Sequence, residues 1–250
     1  LGIIIGIASV VSVVALGNGS QKKILEDISA MGTNTISIFP GSGFGDRRSG
    51  RIKTLTIADA KVIAQQSYVA SATPQTTSSG TLTYRNTDLS ASLYGVGEQY
   101  FDVRGLKLES GRLFDEADVK EDAQVVVIDQ NTKDKLFGTD VDPLGKTVLF
   151  KKRPLTVIGV MQKEENSFGN SDVLMLWSPY TTVMHQITGE SHTNSITVKI
   201  KNDANTQVAE KGLTELLKTR HGTEDFFMNN SDSIKQMVES TTGTMKLLIS

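Results

Sequence analysis

Three histidines, His185, His192 and His221, are the side chains of this 250-residue chain with intrinsic affinities closest to neutral pH, so proton transfer and metal binding are judged on them first. All lie in or beside predicted helix ends and loops. None stands four residues from another on a helical face, and the chain has no cysteine, so the ligand spacings that hold zinc are missing and surface histidines are expected. Asp115, Glu116, Asp118, Glu121 and Asp122 bring carboxylates together without the glycine-centred alternation of a calcium loop; a solvated turn is the expectation. The stretch "GSGFG" has its serine one place from where a nucleophile elbow needs it. In the same loop, Gly45 is followed by Asp46 rather than by the Lys-Ser or Lys-Thr pair that would reach phosphate and magnesium. No catalytic or metal-binding residue is assigned.

Aromatic side chains in polar company remain. Phe168 lies in "KEENSFGNSD", with no apolar residue close enough to build a core stripe. It either meets a partner or apolar cargo, or folds back on its own domain. Tyr100 and Phe101 are adjacent on a short helical turn, where both rings are not expected to face inward, so Tyr100 joins Phe168 as a candidate contact. Phe44, at the tip of a Gly- and Arg-rich loop, is the third.

Composition excludes whole classes of partner. A net charge of −2, with both signs scattered along the chain, offers no basic field for nucleic acid. An apolar content of 38% supports a sizeable core in one or two domains.

The elements that would position these residues follow from periodicity. "LGIIIGIASVVSVVAL" carries only Ser9 and Ser12 as polar side chains and resembles the outer part of a membrane helix, which needs about 20 apolar residues. Gly2 and Gly6 have the small-xxx-small spacing that lets helices approach in lipid. A buried strand is the other reading; a signal peptide is disfavoured because no basic flank precedes the apolar run. "SQKKILEDISAMG" then reads as an amphipathic stalk, so a helix from Leu1 to Met31 would measure roughly 45 Å. Beyond Gly32 come a strand, "NTISIFP", a helix from about Thr56, and alternating strands from Val69 to Leu93 that turn at Asn86, Thr87 and Asp88. "AQVVVIDQNTKDKLFG" is a buried strand and helix, and "DPLGKTVLFKKRPLTVIGVM" a turn with two strands. The last third alternates strand and helix through "DVLMLWSPY", "YTTVMHQITG", "NSITVKIK", "TQVAEKGLTELLKTRHG" and "DFFMNN". A final helix is expected from an N-cap at Ser231 toward the apolar "MKLLIS".

Taken in order, "LGIIIGIASVVSVVALGNG", "GRLFDEAD", "VVVIDQNTKDKLFG", "DPLGKTVLF" and "LTVIGVM" resemble the extracytoplasmic domain of the MacB-type ABC transporter permeases, in the macrolide-exporting branch. The resemblance implies an α+β fold: a porter-like subdomain of two β-α-β units from residues 33–95 and 170–230, and an inserted, mainly β "sabre" subdomain from 96–169. Flanking segments 1–32 and 231–250 would lead to the first and second membrane helices. It implies a homodimer in the bacterial inner membrane with this domain in the periplasm, the adaptor MacA, and the outer-membrane channel TolC reached through the adaptor. Macrolides or secreted peptides would be the cargo. No catalytic residue and no cofactor would reside in the domain itself; ATP and magnesium would act in a cytoplasmic part. Lipoprotein-release permeases share that topology but use a projecting hook that this sequence does not display, and a cargo-binding receptor domain is the remaining alternative.

Overall fold

The computed structural model describes Gly19 and residues 34–43, 52–138, 141–163 and 174–235. Among these, ten strands form one mixed sheet system.

The first half is built from β1 (Thr35–Pro40), helix α1 (Ile57–Ala64) and the start of β2 (Val69–Tyr84), together with β9 (Ser195–Ile200), α6 (Thr206–His221) and β10 (Phe226–Asn230). These are the two expected β-α-β units. They interleave as β10-β1-β9-β2, all antiparallel. Period-2 alternation sends Ile36 and Ile38 of β1, and Ile196, Val198 and Ile200 of β9, to one face. There they pack with Ile63 of α1 and with Ala209, Leu213 and Leu217 of α6, spaced at four-residue steps on one stripe of the helix. Each buried Ile, Val or Leu among them contributes about 1.5–3 kcal/mol by leaving water. The helices start and stop where the chain supplies the chemistry. Thr56 and Asp59 form a reciprocal capping box on α1, Asn205 accepts from Gln207 and Val208 at the head of α6, and Gly222 ends α6 in the left-handed conformation.

The second half is a small closed barrel. The distal part of β2 pairs with β3 (Thr87–Val96), and β3 runs parallel to β8 (Leu174–Pro179). From β8 the ring continues through β5 (Val125–Ile128), β7 (Arg153–Met161) and β6 (Thr147–Phe150) back to Leu82 and Thr83 of β2. Closure leaves no open edge on the ring, and Leu82, Leu93, Ile128, Phe150, Leu155 and Leu176 fill it. Short elements decorate the barrel: α2 (Tyr100–Arg104), β4 (Leu108–Gly111), α3 (Glu116–Lys120), α4 (Gln130–Phe137) and α5 (Tyr180–Thr182), the last continued by a π-helical turn, Val183–Thr188.

Several local expectations shift. The β2–β3 hairpin turns at Arg85 and Asn86, with Tyr84 opposite Thr87, so Thr87 and Asp88 already belong to β3; Arg85 takes the positive φ of the tight turn. Asn230, not Ser231, caps the helix that covers 231–235: its side-chain oxygen accepts from the Asp232 and Ser233 N–H groups, while Ser231 Oγ accepts from Thr35 N–H. Core membership also cuts across the residue ranges read from the chain. Strand β8 falls within 170–230, yet Leu174 and Leu176 lie in the barrel core, because its register is set by β3 and β5. The spine common to both halves is β2, 16 residues long: its first part pairs with β9, its last with β3 and β6.

Candidate functional site

Tyr100 is 7% exposed and Phe101 1% exposed, so the short helix α2 buries both adjacent rings, contrary to expectation. The reason is a second wall. Phe101 packs edge-on to Phe114 and Trp177 inside, while Tyr100 meets Phe101 at 86° and sits among Val96, Met161 and neighbouring aromatics. Tyr100 is therefore part of a core against the outside of the barrel, not a side chain presented to a partner. Phe168, Phe44, Gly2 and Gly6 lie outside the described residues.

The histidines divide. His185 stays exposed, with Nδ1 2.8 Å from Asp122, and His192 stands 3.7 Å from Glu190. His221 is different: its side chain is 5% exposed at the end of α6, which overturns the expectation of a surface histidine. Nδ1 faces Asp225 at 2.8 Å and Nε2 faces Asp59 at 3.4 Å, while Phe226 covers the ring edge-on. The Asp59 carboxylate also accepts from Arg220 Nε at 2.6 Å and from the backbone and hydroxyl of Thr56. Burial pushes the Asp59 carboxyl up, but the hydrogen bonds from Thr56 and Arg220, with the His221 imidazole close by, outweigh it and hold it below the usual aspartate value. For Asp225, burial is likewise outweighed by hydrogen bonds from Thr54 and His221. This buried charge cluster ties α1, α6 and the start of β10 together. Its capping box is visible in the sequence; the contact with α6 is not, since 161 residues separate the partners.

The acidic run is occupied by local structure. Asp115 and Asp118 form the capping box of α3, Arg112 donates two hydrogen bonds to Asp118, and Lys120 pairs with Glu116. The Arg112 guanidinium holds the Asp118 carboxyl below the usual range. Asp129, the cap of α4, accepts from Thr132 N–H and Oγ–H and from Met175 N–H. There burial prevails and pushes the carboxyl up. Among the described residues no group of three or more histidine or acidic side chains is placed to hold a metal ion, and no helix is long and apolar enough to cross a membrane.

The two strands expected in "DPLGKTVLFKKRPLTVIGVM" form the β6–β7 hairpin, whose surface is not among the expected contacts. Leu149, opposite Pro154, is one of two large apolar side chains exposed among the described residues, and the turn that follows is Lys151–Lys152. The signal was available: from Pro143 to Lys163 the chain has five basic residues and no carboxylate.

The chain compares closely with known proteins. A family model described as the MacB-like periplasmic core domain matches residues 1–216. The macrolide export ATP-binding/permease protein MacB of Neisseria meningitidis serogroup B is 89% identical over 250 residues, covering all of this chain. The protein of the same name from Aggregatibacter actinomycetemcomitans is 60% identical over 251 residues. In each case the chain spans 39% of the relative's length. Among solved structures, the periplasmic region of MacB from Actinobacillus actinomycetemcomitans aligns with a TM-score of 0.77 at 55% identity, over 87% of this chain and 98% of that one. The extracellular domain of the noncanonic ABC-type transporter YknZ from Gram-positive bacteria aligns at 0.66 and 25% identity, over 79% of this chain and 100% of that one.

Proposed function

The chain belongs to the MacB-like periplasmic core domain family, and from that premise we propose that it is the force-relaying and docking domain of an ABC-type macrolide export subunit. In this reading ATP and magnesium act in the part of the longer relatives that the chain does not cover. The domain carries the resulting motion to a MacA-type adaptor and, through it, to a TolC-type outer-membrane channel. Macrolides or secreted peptides are the cargo, and the working unit is a homodimer in the inner membrane.

One observation supports the relay above the rest. The chain enters the sheet at β1 and leaves it at β10 side by side: Ile36 is opposite Asn230, and Thr35 N–H donates to Ser231 Oγ at 3.1 Å. A displacement applied to the two flanking segments therefore reaches one stitched sheet. From there β2 continues into the barrel, about 50 Å along a strand of 16 residues. A backbone ladder is stiff along its hydrogen-bonded strands, so the barrel moves with the base.

The test is complementation. In cells lacking their own exporter, the full-length transporter with its adaptor is expected to raise the minimal inhibitory concentration of erythromycin, and a version with this domain excised is not. Resistance that survives excision would remove the relay. Phe168→Ala is expected to lower resistance while leaving the thermal midpoint of the transporter unchanged, in keeping with a contact rather than a core role for that ring.

A further inference from the structure

We propose that the outer end of the β6–β7 hairpin, Leu149 and Pro154 with the cationic turn residues Lys152 and Arg153, is a docking surface for a protein partner that presents carboxylates around an apolar side chain. The proposal rests on the docking function argued above and identifies the surface and chemistry that would carry it.

The turn is costly for its residue types. Lys151 and Lys152 have φ of 49° and 67°, the consecutive left-handed pair of a tight two-residue hairpin, where asparagine and glycine are the residues normally found. Lys151 is accounted for within the fold. Its N–H donates to Thr81 O at 3.0 Å, its stem crosses Gly80 so closely that a Cβ there would lie 2.6 Å from it, and Nζ reaches Ser78 Oγ at 2.8 Å. Nothing comparable accounts for Lys152 or Arg153. Both are exposed, and neither is paired with a carboxylate among the described residues. A strained backbone position held by an idle lysine is where a role outside the fold is expected.

The surroundings suit a protein rather than a phosphate-bearing ligand. Leu149 is 39% exposed and lies opposite Pro154 on one flank and Thr83 on the other. An apolar centre rimmed by charge is the pattern of a protein contact with one dominant anchor. The chain has no carboxylate between Asp59 and Asp88, which spans all of β2, and none from Pro143 to Lys163. The one carboxylate in register with Leu149, Asp88, is two strands away and accepts from the Thr83 hydroxyl at 2.6 Å. Seven carboxylates of this half fall in or beside α2 and α3, Glu98, Asp102, Asp115, Glu116, Asp118, Glu121 and Asp122, while Glu109, Asp129, Asp134 and Asp142 lie elsewhere. In a protein with a net charge of −2, the hairpin is thus a local positive field that steers an acidic partner. It also lies at the end of β2 remote from Thr35 and Asn230.

The test uses the full-length transporter in nanodiscs with the purified MacA-type adaptor as probe. Lys152→Glu/Arg153→Glu is expected to weaken adaptor binding at least tenfold and to flatten its salt dependence, and Leu149→Asp to weaken it at low and high salt alike. Lys152→Arg/Arg153→Lys should bind as the parent does, and the thermal midpoints should agree. If the parent binds the adaptor and the charge-reversed variant binds it equally well, the surface assignment is overturned while the docking function stands. If the parent does not bind the adaptor, both fall. A second arm measures flotation with vesicles of phosphatidylglycerol and phosphatidylcholine; a charge-dependent loss there with adaptor binding unchanged assigns the hairpin to lipid and overturns the proposal.

Discussion

Arg220, in the last turn of α6, donates from Nε to the Asp59 carboxylate, in the first turn of α1, at 2.6 Å, across 161 residues of chain. Asp59 has a side chain only 3% exposed, so its charge depends on this partner, on Thr56 and on His221. Arg220→Met removes the guanidinium that faces Asp59 and leaves a buried carboxylate beside an imidazole. A loss of about 3 kcal/mol is expected, measurable by urea denaturation of the domain. Asp59→Asn should be milder, because the amide oxygen still accepts from the Thr56 N–H in the capping box.

The same carboxylates set the acid limit of the fold. Asp59, Asp118 and Asp225 all titrate below their ordinary value of 3.8 when folded. The unfolded chain therefore takes up their protons first as pH falls, and the stability they supply is complete above the unfolded value and lost as pH drops through the folded ones. Asp129 works in the opposite sense, since burial raises its folded value. Its ionised form costs stability at neutral pH, and that cost is relieved as pH falls through the raised value. Asp129→Asn, which keeps a capping oxygen, is expected to match or exceed the parent at pH 7 and to lose that advantage near pH 4, about the unfolded value. Thermal melts at both pH values check the sign.

Tyr100→Ala is expected to cost about 3–5 kcal/mol, the range for emptying a buried aromatic site. Any loss of resistance in this variant should come with a lowered thermal midpoint. Loss of resistance at an unchanged midpoint would restore Tyr100 as a contact residue and contradict its burial against Phe101 and Val96.

Lys152→Gly should stabilise the hairpin. At φ of 67° glycine has no Cβ penalty, so a gain of about 0.5–1 kcal/mol is expected in spite of its greater freedom when unfolded. The diagnostic outcome is a raised midpoint combined with weakened adaptor binding: a residue that costs stability and supplies affinity.

Local chemistry made much of this fold legible from the chain. The strand holding Ile36 and Ile38, the helix from about Thr56 and the helix over "TQVAEKGLTELLKTRHG" are all expected, because what shapes each of them lies within a few residues, as the Thr56–Asp59 capping box does for α1. The ordered motifs from "GRLFDEAD" to "LTVIGVM" pointed to the family in the same way. Position in space was another matter. Tyr100 and Phe101 violate the one-face rule because Phe114 and Trp177 arrive from distant parts of the chain to cover them. His221 reads as a helix-end surface residue until α1 brings Asp59 beside it. Strand β8 reads as part of the second β-α-β region until β3 and β5 take its two edges. In each case sequence determines what an element is, through propensity and capping within one or two turns. Only tertiary structure decides what it touches, because burial and long-range pairing are set by partners whose separation along the chain carries no periodic signal.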